Sequence, residues 1–179
     1  HGMAALLFMT EPEVRYFTGF KSYFWMSPTR PWFVVVPAEG KPVDVVPGIG
    51  EAGMRRTWLD RIETWPAPRP EDDGVSLLKS VLGEATHGGG SVGVPLGHET
   101  RILMSTLDFD DLRRSFDVVD ATVIKRTLRD VKSEEEIAKT RYACQIASTA
   151  FERLPQKLAI GMTERDACHR LKLDMLELG

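Results

Sequence analysis

A glycine-rich turn in the first third of the chain could bind the phosphates of a nucleotide. Residues 48–53 match the pattern G-x-G-x-x-G, in which glycines let the backbone approach a pyrophosphate at a helix N-terminus. An acid that binds the ribose is expected about 20 residues further on. The next predicted strand carries Glu63, only ten residues after Gly53, which is too short for a full crossover. We therefore predict a turn followed by a helix here, rather than a nucleotide site.

Two overlapping patterns near residue 90 are similar to the parts of a serine hydrolase. Residues 87–90 mimic an oxyanion loop, and residues 89–93 match G-x-S-x-G with Ser91 at its centre. That chemistry needs the serine on a turn from strand to helix, with the oxyanion loop supplied by a separate element. Because Ser91 precedes a predicted strand, we predict only a flexible turn.

Six other residues have side chains of the types that bind metals. Carboxylates must converge on one ion to bind it, and none of the histidines or the cysteine has a partner three or four residues away. We therefore predict a solvated helix start for the aspartates and no zinc site. These residues are Asp108, Asp110, Asp111, His98, His169 and Cys168.

The loop predicted at residues 21–31 holds the candidate binding residues. Phe24, Trp25 and Met26 are three consecutive large apolar side chains, which cannot all face one core and which suit a partner surface. The planar guanidinium of Arg30 suits a substrate carboxylate. In the alternative interpretation, Trp25 covers a sheet edge and Arg30 pairs with a surface acid.

Composition excludes several classes of protein. The 179 residues carry a formal net charge of −3, whereas a nucleic-acid partner requires a basic face. The basic cluster of Lys125, Arg126, Arg129 and Lys132 lies among acids and predicts a solvated surface. No apolar stretch approaches the roughly 20 residues that cross a bilayer, and no signal peptide is recognisable. Two cysteines in separate predicted helices favour a cytoplasmic protein without disulfides.

Strands and helices alternate up to residue 120, which favours an α/β layer fold. A tight hairpin at residues 32–46 requires one antiparallel pair, so we predict a mixed sheet. Helices are predicted from residue 11 and at residues 48–61, 75–82, 98–106 and 109–114. The predicted strands are residues 4–9, 32–36, 43–46, 91–95 and 116–119, with a short one at 62–65.

The chain changes character after residue 120. Ser133 and Glu136 fit a capping box, and the apolar side chains from Ile137 to Leu154 mark one face of the helix that follows. Thr163 and Asp166 fit the start of a second helix. We therefore predict an α/β domain at residues 1–125, followed by a linker and helices at residues 126–179. Since His1 is no initiator and the last helix runs to Gly179, we expect the chain to be a fragment.

Four stretches, in this order, resemble the creatinase/prolidase family. The first spans residues 6–20 and is similar to the pattern P-x-N-[IV]-R-Y-x-[TS]-G-F, with Glu13 in place of the asparagine. The second is the predicted hairpin at residues 32–46, and the third is residues 92–95. The fourth, residues 124–143, resembles the R-x-[IV]-K-S-x-x-E-[IL] stretch that leads into the catalytic domain. The resemblance spans nearly the whole chain.

The resemblance implies a three-layer N-terminal domain with a mixed sheet, followed by the first helices of an incomplete α+β pita-bread catalytic domain. It implies two divalent metal ions (manganese, cobalt or zinc) in the whole enzyme, held by two aspartates, a histidine and two glutamates beyond Gly179. No metal ligand or catalytic residue is assigned to this chain, and no cofactor is expected in it.

The function implied is that of an Xaa-Pro aminopeptidase or dipeptidase acting on a proline-containing peptide. This portion would serve dimerisation and substrate access, with Arg30, Phe24 and Trp25 lining the partner subunit's site in a homodimer. Two alternatives remain: a creatinase-like amidinohydrolase acting on a small amide or guanidino substrate, and a metal-free binding module.

Overall fold

The structure is a computed structural model that describes residues 2–23 and 30–179. The chain divides into two compact units, His1–Leu128 and Arg129–Gly179. The end of the α/β domain that the sequence predicts at residue 125 stays a prediction. No described helix is both long and apolar enough to cross a membrane.

Strands and helices alternate through the first unit, as the sequence pattern predicts. In chain order the elements are β1 (Met3–Phe8), α1 (Glu11–Thr18), β2 (Phe33–Pro37), β3 (Val43–Pro47), a 3-10 turn (Gly48–Gly50), α2 (Glu51–Met54), β4 (Arg61–Trp65), α3 (Val75–Ala85), β5 (Ser91–Val94), α4 (Thr106–Ser115), β6 (Asp117–Asp120) and α5 (Thr122–Asp130).

The six strands form one mixed sheet in the order β4-β3-β2-β1-β5-β6. Only β2 is antiparallel to its neighbours, with Phe8 opposite Val34 on one side and Phe33 opposite Val45 on the other. The remaining pairs are parallel. The prediction that β1, β2, β3, β5 and β6 share one mixed sheet is therefore confirmed, and β4 joins them.

Each face of the sheet carries its own apolar core, which makes three layers. Leu7, Phe33 and Val45 face a core that includes Leu78 and Leu82 of α3. On the opposite face Val34 and Val46 pack with Val14 of α1. Alternate residues of one strand thus enter opposite cores, as the two-residue repeat of a strand requires. This double burial explains the nearly continuous apolar runs in β2 and β3.

Two stacked aromatic rings join three segments on the second face. Phe20 and Trp32 stack with centroids 5.1 Å apart and an interplanar angle of 19°. A Cβ added to Gly50 would lie 2.3 Å from the Trp32 ring, and one added to Gly53 would lie 2.7 Å from the Phe20 ring. We call these four residues the aromatic clamp. Glycine is required at both positions because the rings occupy the space of a side chain.

The clamp also accounts for an error at residues 48–61, where one helix is predicted. The structure has a 3-10 turn and a single α-helical turn there, after which Thr57 donates a side-chain hydrogen bond to the Met54 carbonyl. Residues 48–60 nevertheless connect the parallel strands β3 and β4. The short spacing between β3 and β4 is therefore sufficient for a crossover, because the connecting helix is only one turn long.

A second predicted helix, at residues 98–106, is absent from this part of the described chain. Glu99 has a left-handed φ of 63°, which is incompatible with a continuing helix. The amides of Leu96 and Gly97 donate to the Thr122 hydroxyl. Helix α4 starts at Thr106, where the Ser105 side chain accepts from the Asp108 amide.

The segment that the sequence predicts as a charged linker forms α5. Its basic side chains are not all exposed to solvent. Lys125 lies 3.0 Å from a Glu13 carboxylate oxygen, and the two side chains are only 14% and 6% exposed. Thr10 also donates to Glu13. Lys125 therefore ties α5 to α1 by a buried ion pair, and the solvated-surface prediction is wrong for this residue.

The second unit is a pair of helices, α6 (Glu134–Arg153) and α7 (Glu164–Leu178), joined through a 3-10 turn at Leu154–Lys157. Both predicted capping boxes are present. The apolar face predicted for α6 is largely exposed in this chain, since Ile137 and Phe151 are 44% and 57% exposed. The side that meets α7 instead carries Ala150, which is fully buried, and Tyr142, whose hydroxyl donates to the Leu178 carbonyl.

Replacing Gly50 with alanine tests the aromatic clamp. The Gly50 φ of −85° suits any residue, so Gly50→Ala isolates the clash with Trp32. We expect it to lower the free energy of unfolding by about 1–3 kcal/mol, as overpacking does. The control is Gly83→Ala in α3, where an added Cβ meets nothing within 4 Å; it should stabilise the protein by about 0.5–1 kcal/mol. Equal effects in urea unfolding would contradict the clamp.

Removing Lys125 tests the buried ion pair. Lys125→Met leaves the Glu13 carboxylate buried without its cation, which should cost about 3–5 kcal/mol. The matched control is Lys41→Met, because Lys41 and its partner Asp60 are 55% and 72% exposed; it should cost less than about 1 kcal/mol. Similar unfolding midpoints for the two variants would show that the Glu13–Lys125 pair is not effectively buried.

Candidate functional site

The candidate site lies at the edge of the sheet that is formed by the ends of the strands, and not along a lateral edge strand. Five strands are parallel, so their carboxyl ends meet at a common edge, where open α/β sheets commonly bind ligands. Strand β2 runs the other way and therefore starts at that edge, since Phe33 pairs with Val45 near the end of β3. Arg30 precedes this start and is exposed. The sheet thus places Arg30 at the edge where a ligand is expected.

The aromatic clamp holds both stems of the loop that carries Arg30. Phe20 follows the end of α1, where Gly19 adopts a left-handed φ of 76°, and the Phe20 amide donates to the Thr18 hydroxyl. Trp32 precedes β2 and is 4% exposed. Residues 24–29 lie outside the described residues, so the roles predicted for Phe24 and Trp25 stay predictions.

The backbone of Arg30 has an unusual conformation. Its φ is +84°, in the left-handed region that a non-glycine residue adopts only at a cost of about 1–3 kcal/mol. Such positions concentrate at binding and catalytic sites, where the surrounding structure maintains the strain. The strain therefore makes Arg30 a candidate functional residue on grounds independent of its side-chain type.

The charge of Arg30 acts on an acidic group at the same edge. Asp73 precedes α3, and burial raises the pKa of its carboxyl; Asp108, in the first turn of α4, raises that pKa further, and Arg30 lowers it. The salt bridges among the described residues do not include Arg30. Among the described residues, Arg30 acts on Asp73 by a longer-range attraction, and the alternative interpretation, in which Arg30 pairs with a surface acid, stays a prediction.

The other motifs occupy structural positions. The G-x-G-x-x-G glycines accommodate the clamp rings, and α2 is a single turn. Residues 87–90 form a turn before β5, with left-handed φ values at His87, Gly88 and Gly90. Asp108 lies in the first turn of α4, as predicted, whereas Asp111 lies further along the helix and pairs with Lys79 of α3 at 2.7 Å. Both cysteines are free and exposed.

The residues of this chain do not fit the metal pair that the resemblance implies. Among residues 2–23 and 30–179 no three or more histidine, cysteine, aspartate or glutamate side chains come together as a metal site would require. No chemical step is therefore assigned to this chain through a metal.

A concavity with a volume of about 640 Å³ lies at the opposite edge of the sheet. Its walls carry Lys41, Asp60, Arg61 and Glu84. These charges are already paired with one another: Lys41 with Asp60 at 2.6 Å, and Arg61 with Glu84 at 2.7 Å. These four charges therefore already have partners, whereas Glu39, which also lines the concavity, is in no ion pair among the described residues.

Sequence reasoning missed three buried acids, one of which, Asp174, pairs with Lys157 in the second unit. Glu13 pairs with Lys125, and its occurrence at a family asparagine position was the available signal. Asp44, on β3, is fully buried. Its signal was an acid within the apolar run of residues 43–46.

Comparisons with solved structures identify proteins of the same fold. The Xaa-Pro aminopeptidase from Thermotoga maritima is 17% identical with a TM-score of 0.75, covering 99% of this chain and 47% of that one. A prolidase from Thermococcus sibiricus is 18% identical with a TM-score of 0.76, covering 97% and 45%. A dipeptidase from Mycobacterium ulcerans is 22% identical with a TM-score of 0.69, covering 99% and 45%. The chain thus spans less than half the length of these proteins.

No curated protein matches the chain. The sequence-family model of the creatinase/prolidase N-terminal domain, in contrast, matches residues 1–131. This range contains the whole six-stranded sheet and Arg30. The chain therefore belongs to the creatinase/prolidase N-terminal domain family.

Proposed function

We propose that this chain is the amino-terminal part of an Xaa-Pro aminopeptidase or dipeptidase, in which it controls substrate access and does not carry the chemistry. The support is that similar solved structures are named as Xaa-Pro peptidases and prolidases. In the whole enzyme, two divalent metal ions held by residues outside this chain would activate water and polarise the scissile carbonyl.

The observation that carries the proposal is the position of Arg30. It is an exposed guanidinium with a strained backbone, at the edge of the sheet where a ligand is expected, and it forms no salt bridge with a described residue. A guanidinium binds a carboxylate through two parallel hydrogen bonds. Arg30 is therefore suited to bind the terminal carboxylate of a short peptide. Phe24 and Trp25, which precede Arg30 in the same predicted loop, would supply apolar contacts.

We further propose that the enzyme is a homodimer in which Arg30 enters the partner subunit's active site. A short peptide bound between two subunits would be shielded from water on both sides, which strengthens its pairing with the guanidinium. Creatinase-like activity on a small guanidino compound is the alternative outcome, and a substrate panel of Xaa-Pro dipeptides and creatine distinguishes the two.

Arg30→Ala in the complete enzyme should raise KM or lower kcat/KM by about 10- to 100-fold, since a hydrogen bond to a charged group is worth about 1.5–3 kcal/mol. The melting temperature should stay unchanged because Arg30 is exposed. Arg30→Lys should show a smaller defect than Arg30→Ala, because lysine keeps the positive charge but lacks the planar guanidinium that binds a carboxylate through two hydrogen bonds. The control is Arg56→Ala, another exposed arginine, which should leave kinetics unchanged. Wild-type kinetics for Arg30→Ala would assign the loop a purely structural role.

Mixed dimers test which subunit receives Arg30. One subunit carries Arg30→Ala and the other lacks a metal ligand, so only the Arg30→Ala subunit keeps its metals. If Arg30 enters the partner's site, this mixed dimer should retain about half of the wild-type activity. If Arg30 serves its own subunit, the mixed dimer should show the Arg30→Ala defect.

The chain of residues 1–179 by itself should bind no catalytic metal and hydrolyse no Xaa-Pro peptide. The expectation rests on the lack of a convergent ligand group among the described residues. Calorimetric titration with manganese and zinc, alongside the complete enzyme as the positive control, checks it. Stoichiometric binding that survives mild chelation would overturn the division of roles.

A further inference from the structure

Strand β3 contains a carboxyl group in an apolar environment. Asp44 is 0% exposed. In register it lies between Val34 of β2 and Ile62 of β4. Since it alternates with Val43 and Val45, it faces the same core as Val46. Its position is therefore the interior of the second face, beside the aromatic clamp.

Neither oxygen of Asp44 has a hydrogen-bond partner among the described residues. The other buried acids differ in this respect, because Glu13 pairs with Lys125 and Asp174 pairs with Lys157. An ionised carboxylate in an apolar interior without a partner is so costly that the group takes up a proton instead.

Charged groups on the elements around this core are paired with one another or exposed, except Glu11, which is partly exposed. Glu51 pairs with Arg55, and Lys41 pairs with Asp60. The same-face positions of β2 and β4 carry no ionisable side chain. The charged and titratable residues on the covering segments are Glu11, Glu13, Arg15, Tyr16, Lys41, Glu51, Arg55, Arg56, Asp60 and Lys125.

None of these groups stabilises the ionised form of Asp44. Burial is the one cause acting on its carboxyl, and it raises the pKa of Asp44 to about 7. A nearby cation would lower that pKa, so the apolar surroundings alone set its protonation.

We propose that Asp44 is a proton-binding site of the fold, neutral in the closed sheet, and that its ionisation opens the edge of the sheet formed by β3 and β4. Strand β4 is the edge strand and pairs with β3 alone. Residues 48–60, which precede it, contain only two short helical turns. Separation of this edge strand would thus give a carboxylate at Asp44 access to water by local opening.

The direction of the pH dependence follows from proton counts. The folded chain binds one more proton than the unfolded chain between the unfolded pKa of about 3.9 and the folded pKa of about 7. The contribution of Asp44 to stability is therefore complete below about pH 4, falls as pH rises through this window, and is lost above about pH 7.

The test compares urea unfolding of the 179-residue chain with that of Asp44→Asn, which cannot ionise, from pH 5 to pH 8. The folding equilibrium constant of the parent should fall relative to Asp44→Asn by on the order of tenfold per pH unit between pH 5 and pH 7, then level off. The control Asp60→Asn removes an exposed carboxylate 72% accessible to solvent and should show no such slope. A ratio between parent and Asp44→Asn that is independent of pH would overturn the proposal.

Two measurements on the parent protein keep the test independent of the variants. Carbon-13 spectra of labelled aspartate should show one carboxyl titrating near pH 7, and a set of carboxyls all titrating near pH 4 would refute the proton site. Amide exchange, corrected for its intrinsic rate, should accelerate at residues 61–65 between pH 6 and pH 8 and remain unchanged in β1. Equal acceleration in both strands, or none in β4, would refute opening at this edge.

Discussion

The stacking of Phe20 on Trp32 is the contact on which the second face of the sheet depends. The rings come from segments on either side of a loop, and they lie against two glycines of the β3–β4 connection. One interaction thus fixes the end of α1, the start of β2 and the path of residues 48–54. Ring stacking contributes about 0.5–1.5 kcal/mol beyond the burial of the rings, and the close approach adds a steric requirement that only glycine meets.

This arrangement separates the structural and functional parts of the same loop. The stems are buried and fixed, whereas Arg30 is exposed between them, close to the start of β2. Since β2 is the one strand that runs against the others, it starts at the edge where the other strands end. The mixed topology of the sheet therefore supplies a rigid base for a loop at the expected ligand-binding edge, which is the arrangement that binding loops commonly have.

Much of the fold could be predicted from local patterns, and the errors share a physical cause. Apolar runs between turn residues predict the strands, and the capping boxes at Ser133 and Thr163 predict two helix starts. The helix predicted at residues 48–61 fails because Gly50 and Gly53 serve contacts with Phe20 and Trp32, which are distant in sequence. Lys125 is misjudged for the same reason, since Glu13, its partner, lies more than 100 residues away. For the candidate site, the type of Arg30 is visible in the sequence, but its strained backbone and its place at the sheet edge are not.

A double-mutant cycle between Gly50→Ala and Trp32→Leu tests the aromatic clamp most directly. If the added methyl group destabilises the protein only because the indole occupies its space, the effect of Gly50→Ala should depend on Trp32. The loss of unfolding free energy caused by Gly50→Ala should then be at least about 1 kcal/mol smaller in the Trp32→Leu background than in the parent. A coupling of this size is within the range measured for contacting residues. Urea unfolding of the four proteins gives this coupling free energy. The same cost in both backgrounds would show that Gly50 is required for another reason and that the clamp does not hold the loop stems.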